Sequence, residues 1–399
     1  MSNIFDVGVI GTGVAGAFTC LKLATDYNAK VIAFDIGPRP AKRKPQMFGF
    51  LGLFPSSDGK LYQNDIIRVS ELVGLRKAKS TNTQINQILS NIEDFKIVKD
   101  KSPSLSMDKK LKKLGYDVKL NNYIQMYPKD IHSLSKYIAG SIENLTFSFD
   151  NEVRSIIKQK NIFLVTTDLG EYRCKKVVIA VGRSGWRWAR DLYASLGIID
   201  NNDFARFGIR MEISSDYMKD FNKSNCSLIK DDLEIGPLSW FGTVIPEDHT
   251  DLAISSFRSN EMRWKTDKVS FNLIGNRNFP NNGFEQTDRL GKLVFILAND
   301  RVIKERISSI LSDKSKISIL PEYNWMKKTI MEFSSVIPEI ITKGYFHVPT
   351  IIAMPPKINI SKNLETEIDG MFVAGESAGV PGLLSAALMG LICADSVCK

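Results

Sequence analysis

Three glycines near the amino terminus have the spacing of a phosphate-binding turn. Gly11, Gly13 and Gly16 form a GxGxxG pattern. In such a pattern the first glycine permits a tight turn, the second lets a pyrophosphate approach the backbone, and the third lets a helix pack closely on a sheet. Val14 and Ala15 would begin that helix, whose unpaired N–H groups attract negative charge. The pattern therefore predicts a dinucleotide-binding site.

Two apolar strands must hold this turn in place. Residues 6–11 form an apolar run typical of a buried parallel strand, and apolar residues then recur at helical spacing over 14–24. Residues 30–35 form a second apolar run, which ends at Asp35. The carboxylate of Asp35 would accept hydrogen bonds from an adenosine ribose, and its charge disfavours the 2′-phosphate of NADP. This order of elements predicts a Rossmann-like unit.

Two later segments extend this prediction. Residues 175–182 form another apolar strand, which passes Ala180 and ends at Gly182, and a strand-like run over 162–167 precedes it. This pair is similar to the second signature of the FAD fold, in which the strand passes under the cofactor. Val153 occupies the position where such proteins place a backbone contact to adenine.

The carboxy-terminal region favours FAD over NAD. Residues 368–379 predict a strand that leads to a glycine turn with an acid, Gly375 and Glu376, and a helix follows over 383–397. In the glutathione-reductase-type FAD fold, the acid binds the ribityl or pyrophosphate region. The helix directs its amino terminus at the flavin pyrimidine edge, where negative charge accumulates on reduction.

Composition excludes several other classes of protein. The 399 residues are 43% apolar and 24% charged, which is typical of a folded globular chain. The five cysteines form no C-x-x-C pair and the three histidines are never at i, i+4 spacing, so we expect no disulfide scaffold and no metal site. A reducing cytoplasm fits this cysteine usage best. The apolar stretches 7–21 and 380–394 contain glycine or proline and are not expected to span a membrane.

The net charge is +9, and the excess is concentrated in one segment. Residues 76–130 hold twelve Lys or Arg against six Asp or Glu, a net charge of 12 − 6 = +6. Because arginine and interleaved aromatic residues are sparse there, we favour a solvated helix or hairpin face. A nucleic-acid surface is the alternative.

The chain resembles an uncharacterised family of FAD-dependent dehydrogenases with the glutathione-reductase-type FAD/NAD(P)-binding fold. The resemblance rests on the amino-terminal fingerprint, on the glycine-rich segment 49–61 with its S-D-G-K-L ending, on segments 180–185 and 207–212, and on the closing residues 375–382. It implies flavin redox chemistry and gives a reaction class without a substrate.

The predicted fold is α/β, with a Rossmann-like FAD/NAD(P)-binding domain and a second, α+β substrate domain. The FAD-binding domain is expected to be discontinuous, over residues 1–75, 135–200 and 350–399. A basic, helical insertion is expected over 76–134, and the substrate domain over 201–349.

The residues predicted to contact the cofactor come from these segments: Gly11, Gly13, Val14, Ala15, Gly16, Asp35, Gly52, Lys60, Val153, Ala180, Gly182, Gly375, Glu376, Gly382 and Leu383. The candidates for catalysis are Asp58, Lys60 and Arg183. For Asp58 the alternative is simple turn chemistry before Gly59, and for Arg183 it is a surface charge beyond a strand end.

The leading hypothesis is an FAD-dependent oxidoreductase that moves two electrons to or from an organic small molecule. No second GxGxxG is present, so a transiently bound NAD(P)H or another protein would supply electrons if the flavin acts as a reductase. A flavin-dependent monooxygenase or halogenase is an alternative, because Trp186 and Trp188 form a GWxW pattern, although packing is the favoured interpretation of that pattern. An RNA-modifying flavoprotein that uses the basic segment is the other alternative.

Overall fold

The computed structural model describes residues 4–42, 47–202, 204–248, 253–258, 261–278, 283–351 and 355–399. Its strands are β1 (Ile4–Ile10), β2 (Val31–Phe34), β3 (Lys60–Tyr62), β4 (Ile97–Val98), β5 (Asp117–Lys119), β6 (Tyr123–Gln125), β7 (Thr146–Ser148), β8 (Val153–Gln159), β9 (Ile162–Thr167), β10 (Gly170–Ile179), β11 (Phe204–Ser214), β12 (Ser227–Lys230), β13 (Leu233–Ile235), β14 (Ser239–Trp240), β15 (Thr243–Asp248), β16 (Ala253–Arg258), β17 (Lys268–Asn278), β18 (Ile303–Arg306), β19 (Tyr345–Ile351) and β20 (Met371–Val373). Its α-helices are α1 (Val14–Asp26), α2 (Asp65–Val73), α3 (Leu75–Ser90), α4 (Leu105–Lys113), α5 (Pro128–Ser141), α6 (Trp186–Ser195), α7 (Gly283–Leu297), α8 (Ile307–Leu311), α9 (Trp325–Ser334), α10 (Glu339–Lys343) and α11 (Leu383–Val397).

The chain divides into two compact units. Unit 1 contains Met1–Lys96, Ile124–Asn202 and Pro355–Lys399, and unit 2 contains Ile97–Tyr123 and Asp203–Met354. Because β5 pairs with β12 of unit 2, the middle of the basic segment belongs with the second unit. The segment predicted as an insertion over 76–134 is therefore shared between the two units.

Unit 1 is built on a seven-stranded sheet in the order β7-β2-β1-β10-β9-β8, with β20 also pairing with β10. Strands β7, β2, β1, β10 and β20 are parallel, and the β8–β9–β10 meander is antiparallel. Every residue of β2 and β20 is buried, as expected for parallel strands covered on both faces. The structure thus confirms the predicted α/β class and the Rossmann-like β1–α1–β2 unit.

Helices α1 and α11 pack against each other in this unit. A Cβ atom on Gly390 would lie 2.3 Å from the Ala15 carbonyl oxygen, so the two helix backbones approach closely. The Thr19 hydroxyl donates a hydrogen bond of 3.0 Å to the Gly390 carbonyl. Contact at this distance requires glycine at position 390.

Unit 2 is built on an eight-stranded sheet in the order β18-β19-β11-β17-β13-β12-β5, with β14 also pairing with β17. Alternate residues of β11, from Phe207 to Ile213, are buried in a separate apolar core with residues of α7, α8, α9 and α10. This alternation gives the sheet one apolar and one polar face. The architecture confirms the second, α+β part of the predicted fold.

The polar side of this sheet holds a buried acid among two lysine side chains and a histidine. Glu212 Oε1 lies 2.5 Å from Lys304 Nζ and 3.1 Å from Lys268 Nζ, and its Oε2 lies 3.6 Å from His347 Nε2. Burial by itself raises the pKa of Glu212, but the contacts with His347 and Lys304 outweigh it and lower that pKa to about 2. Burial also lowers the pKa of His347 below its ordinary value, so this histidine is a neutral, structural residue at pH 7.

Helix α4 carries most of the lysine run in the basic segment. Lys109, Lys110 and Lys113 are exposed, whereas Met107 and Leu111 on the other side of the helix are buried. This is the solvated, amphipathic helix face that the sequence favoured. Across the described part of the chain, no helix combines the length and the apolar character needed to cross a bilayer.

Candidate functional site

The four parallel strands β2, β1, β10 and β20 bring the predicted cofactor segments to one edge of the sheet. The glycine turn follows β1, Asp35 follows β2, Ala180 follows β10, and Gly375 follows β20 after a single residue. Because the carboxyl ends of parallel strands share an edge, these segments meet there although they are far apart in sequence. This edge is the candidate cofactor site.

The glycine turn needs glycine at two positions. Gly11 has φ +91°, and a Cβ atom there would lie 2.6 Å from the Ala180 carbonyl oxygen. At Gly16 a Cβ would lie 1.9 Å from the Gly11 carbonyl oxygen, because helix α1 starts directly against the turn. Both positions therefore determine the shape of the turn itself.

Gly13 is different because no atom of the described residues crowds it. Its φ is −58°, and the nearest atom to a Cβ placed there is the Ala180 carbonyl oxygen at 3.9 Å. Gly13 is also the N-cap of α1, so no side chain at this position accepts hydrogen bonds from the first helical turn. A glycine that the fold does not require, at the amino terminus of a helix, is suited to an anionic ligand that approaches the backbone.

The glycine-rich segment around residue 50 lies against this turn. The Leu51 N–H donates a hydrogen bond of 2.8 Å to the Thr12 carbonyl. A Cβ atom on Gly52, whose φ is +54°, would lie 3.4 Å from Gly13 Cα. The structure thus places Gly52 beside the predicted pyrophosphate position.

Asp35 makes more protein contacts than the sequence suggested. Its Oδ2 accepts hydrogen bonds of 2.7 Å from both the backbone N–H and the hydroxyl of Thr12, and its Oδ1 accepts from the N–H groups of Gly37 and Gly49 at 2.8 and 3.0 Å. Burial nevertheless raises the pKa of this carboxyl above its ordinary value. All four acceptor positions of the carboxylate are used, so a ribose contact, as the sequence predicted, requires one of these bonds to be exchanged.

The second and third signatures are joined by side chains of the last glycine turn. The Val181 N–H donates to the Ser377 hydroxyl at 3.1 Å, and Arg183 Nη2 lies 3.3 Å from Glu376 Oε1. A Cβ atom on Gly375 would lie 3.4 Å from Ala15 Cβ. The other oxygen of Glu376, Oε2, is buried and accepts no hydrogen bond among the described residues. A buried carboxylate oxygen without a donor indicates a missing hydroxyl or N–H group.

A Cβ atom placed on Gly182 would have no neighbour within 4 Å in the part of the chain that the structure describes. Gly182 has φ +62° and begins the short turn that carries Arg183. The arginine pairs with Glu376 and also lies over the Trp186 ring, at 5.8 Å from its centroid. The Arg183 side chain is therefore held at the edge of the candidate site by Glu376 and Trp186. It is more than the isolated surface charge that was the alternative interpretation.

The amino terminus of α11 contains a contact that sequence analysis missed. Asp65, which is 2% exposed, accepts a hydrogen bond of 3.3 Å from the Ser385 N–H. A Cβ atom on Gly382, whose φ is +119°, would lie 2.2 Å from Asp65 Oδ2. One N–H group of the first turn of α11, that of Ser385, is thus bound by an internal carboxylate. No spacing pattern links Asp65 to this helix, because the two lie in distant parts of the chain.

Asp65→Ala is expected to lower the free energy of unfolding by about 2 kcal/mol, because it removes a helix cap and the partner of Arg68. Asp65→Asn keeps one acceptor oxygen and should lose less. Chemical denaturation of both variants measures the difference. Equal stability of wild type and Asp65→Ala would show that the cap is energetically neutral.

Of the two tryptophans in the GWxW pattern, the structure explains the role of Trp188. The indole N–H of Trp188 donates a hydrogen bond of 2.6 Å to the Val153 carbonyl, and its ring packs against the core of unit 1. This bond engages the carbonyl of Val153, the residue whose backbone was predicted to contact adenine. Packing, the favoured interpretation of the GWxW pattern, accounts for Trp188, whereas the buried indole nitrogen of Trp186 has no hydrogen-bond partner within the described ranges.

Asp58 and Lys60 pair with each other, with 3.3 Å between Lys60 Nζ and Asp58 Oδ2. The Lys60 N–H also donates to Asp58 Oδ1 at 3.3 Å, and a Cβ atom on Gly59 would lie 2.0 Å from the Met126 carbonyl oxygen. These contacts describe an aspartate-glycine turn held tightly against Met126. They support the turn interpretation of Asp58, and Lys60 lies buried beside it.

The cysteines do not form a redox pair. All five are free thiols, and burial raises the pKa of Cys20 and Cys174 to about 12, which leaves them protonated at neutral pH. Within the described ranges, no group of three or more His, Cys, Asp or Glu side chains is placed to hold a metal ion.

The residues at this edge fit a dinucleotide with a polyol chain. Gly13 and the first turn of α1 provide open backbone donors for a pyrophosphate, and the orphan Oε2 of Glu376 provides an acceptor for a hydroxyl. The Asp35 carboxylate already accepts four hydrogen bonds from protein groups, and the Ser385 N–H of α11 already donates to Asp65. The fit therefore rests on the turns after β1, β10 and β20.

No protein-family model matches this chain, and no curated protein matches it in sequence. Solved structures similar to it include the L-α-glycerophosphate oxidase from Mycoplasma pneumoniae with FAD bound, with 11% identity over 100% of this chain and 95% of that chain and a TM-score of 0.48. The amino acid oxidase NikD, which is essential for nikkomycin biosynthesis, has 12% identity over 100% and 95%, with a TM-score of 0.47. The glycine oxidase from Geobacillus kaustophilus has 15% identity over 99% and 95%, with a TM-score of 0.43.

Proposed function

We propose that this protein is an FAD-dependent oxidoreductase that transfers two electrons between bound flavin and an organic small-molecule substrate. The observation that carries the proposal is the meeting of three chain-distant glycine turns at one sheet edge, beside a buried carboxylate oxygen that lacks a donor. When bound, the flavin would supply the hydride acceptance and donation that protein side chains lack.

This chain's residues would bind and orient that cofactor. The open backbone at Gly13 and the first N–H groups of α1 would hold the pyrophosphate, and Gly52 leaves space beside it. Glu376 would accept a hydrogen bond from the polyol through Oε2 while Oε1 stays paired with Arg183. Arg183 is the favoured candidate for contact with the reacting groups, because Asp58 and Lys60 pair with each other at 3.3 Å.

Unit 2 is proposed to bind the substrate. On β17, Ser270 Oγ and Asn272 Oδ1 are buried and have no hydrogen-bond partner among the described residues. Unpaired buried polar atoms on one strand support a polar ligand there. NAD(P)H is retained as a transient electron donor, and the unpaired thiols are consistent with the proposed reducing cytoplasm.

The test is the colour and flavin content of the purified full-length protein. We expect a yellow preparation with about one flavin per chain, released as FAD on denaturation. A colourless preparation can be titrated with FAD, and binding then quenches the flavin fluorescence. A protein that is colourless and also fails to bind added FAD contradicts the proposal.

Glu376→Ala is expected to weaken FAD binding about tenfold, on the order of 1.4 kcal/mol, because it removes the acceptor for the polyol and the partner of Arg183. The measurement is a fluorescence titration of the apoprotein with FAD. Glu171→Ala, at an exposed position of β10, is the matched control and should bind as wild type does. If both variants bind FAD equally well, Glu376 has no part in cofactor binding.

A further inference from the structure

The polar face of the unit 2 sheet carries buried side chains whose hydrogen-bonding groups are unused. On β17, Val269, Phe271 and Leu273 belong to the apolar core, so Ser270 and Asn272 lie on the opposite face. Both are more than nine-tenths buried, and Ser270 Oγ and Asn272 Oδ1 have no hydrogen-bond partner among the described residues. Because a buried polar atom without a partner is unfavourable, these atoms indicate a ligand.

A third hydroxyl group lies beside them. Ser239 of β14 pairs with Ser270 in the register of the sheet, which places both side chains on the same face. Ser239 is also buried, and its hydroxyl makes no hydrogen bond with any residue of the described ranges. Ser239 and Ser270 are one strand spacing apart, about 5 Å, and Ser270 and Asn272 are two residues apart along β17, about 7 Å. These three side chains, the Ser270 patch, cover an area comparable to a small sugar or polyol.

The open groups of the Ser270 patch require a ligand that both donates and accepts hydrogen bonds. Asn272 Oδ1 can only accept, whereas each serine hydroxyl can donate and accept. An ionised carboxylate or phosphate offers acceptors alone and therefore leaves Asn272 Oδ1 unsatisfied. An ammonium group offers donors alone. The hydroxyl group of an alcohol offers both, so it matches the patch best.

The charges near the patch also disfavour an ionised ligand. Glu212 of β11 lies opposite Ser270, and its carboxylate pairs with Lys268 and Lys304. An anion at Ser270 would therefore be a direct neighbour of a carboxylate, and a cation would approach two lysine side chains. Arg210, two residues before Glu212, adds a further cation and already has a partner. An uncharged ligand avoids both kinds of repulsion.

We propose that the Ser270 patch binds an uncharged polyhydroxyl compound, a sugar or polyol, whose hydroxyl groups form hydrogen bonds with Ser239, Ser270 and Asn272. The inference rests on the proposed function, because this compound would be the organic substrate of the oxidoreductase. Each hydroxyl group of the ligand would supply a partner to a polar group that the protein leaves unpaired, which makes these hydrogen bonds more valuable than bonds at an exposed surface.

The test is equilibrium dialysis of the purified full-length protein with radiolabelled sorbitol and radiolabelled glucose. Unlabelled gluconate and glucamine serve as competitors, because they keep the carbon chain of sorbitol and carry a carboxylate or an ammonium group in place of one hydroxyl. We expect saturable binding of at least one neutral compound, and at least about tenfold weaker competition by both charged compounds. No saturable binding of sorbitol or glucose overturns the proposal. Competition by gluconate or glucamine that equals that of the unlabelled neutral compound also overturns it.

Two variants identify the residues involved. Asn272→Leu replaces the amide by an apolar group of similar size, and Ser270→Ala removes one hydroxyl. Each is expected to weaken binding of the neutral compound about tenfold. Asn324→Leu and Ser312→Ala make the same exchanges at exposed positions of unit 2 and should bind as wild type does. Wild-type affinity in both Asn272→Leu and Ser270→Ala contradicts the proposed site.

The unfolding temperature of the ligand-free variants separates ligand binding from a structural role. Because Ser270 Oγ and Asn272 Oδ1 have no partner within the described ranges, their removal should not lower this temperature. We therefore expect Ser270→Ala and Asn272→Leu to be at least as stable as wild type while their affinity for the neutral compound falls. Variants that lose stability and keep wild-type affinity would show that these side chains support the fold, and this result would overturn the proposal.

The flavin absorbance of the same samples distinguishes this inference from the proposed function. FAD-loaded protein that binds neither sorbitol nor glucose contradicts the sugar or polyol site and leaves the flavin proposal intact. Protein that binds one of these compounds, loses that binding in Asn272→Leu and takes up no FAD supports the site and contradicts only the flavin proposal.

Discussion

Gly13→Ala is expected to leave the protein folded and to reduce its affinity for FAD about a hundredfold, on the order of 3 kcal/mol. In the structure a methyl group at this position has its nearest neighbour at 3.9 Å, and the φ of −58° suits alanine. The methyl group would occupy space through which a pyrophosphate is proposed to reach the backbone. The measurements are fluorescence titration with FAD and thermal unfolding of the apoprotein.

Two other glycines provide the controls for this experiment. Gly140→Ala lies in the exposed part of α5, where a Cβ meets no described residue within 4 Å. It should leave FAD binding unchanged while raising stability by about 0.5–1 kcal/mol. Gly16→Ala should instead damage folding, because its methyl group would lie 1.9 Å from the Gly11 carbonyl oxygen. If the Gly13→Ala variant folds and still binds FAD as tightly as wild type does, the glycine turn does not bind the pyrophosphate.

Glu212→Ala is expected to destabilise the protein by about 3 kcal/mol. The carboxylate is 4% exposed and is the shared partner of Lys304, Lys268 and His347, so its removal leaves positive charges facing one another. This loss of stability is at the lower end of the range for breaking a buried ion pair. Both lysine side chains are more than one third exposed, so water partly screens their charges. Urea denaturation measures the change.

The control for this variant is Asp216→Ala, which removes an exposed acid that pairs with Lys219 in the same unit. Its side chain is 74% exposed, so the loss should stay below about 1 kcal/mol. If the two substitutions cost the same, the cluster around Glu212 contributes no more than a surface pair.

The same cluster predicts how stability depends on pH. The pKa of Glu212 is lowered from 4.5 to about 2 in the folded state, so its contribution is complete above about pH 4.5 and is lost as the pH falls toward 2. In Glu212→Gln this loss should be absent, and stability should fall less steeply over that interval than in wild type. Denaturation at a series of pH values distinguishes the two profiles, and parallel profiles would exclude Glu212 as the titrating group.

Sequence analysis predicted the elements whose patterns are local. The helix predicted to follow the glycine turn is α1, the helix over 383–397 is α11, and the run over 162–167 is β9. In each of these segments, apolar periodicity or a continuous apolar run reports burial directly, and glycines mark the ends.

The contacts that complete the site could not be predicted in this way. The four donors of Asp35 come from Thr12, Gly37 and Gly49, and the cap of α11 comes from Asp65. Whether a carboxylate at the end of a strand serves a ligand or the protein depends on which loops fold over it. No residue type or spacing in the sequence records that arrangement.

The pairing of α1 with α11 has a consequence for the order in which the protein matures. The Thr19 hydroxyl bonds to a carbonyl that the ribosome makes 371 residues later, and the turn after β1 rests on Ala180. During synthesis the amino-terminal strand and helix are therefore made before the elements that cover them, and their apolar surfaces stay uncovered until those elements are translated. Loading of any nucleotide at that turn is consequently a late event, which follows translation of α11.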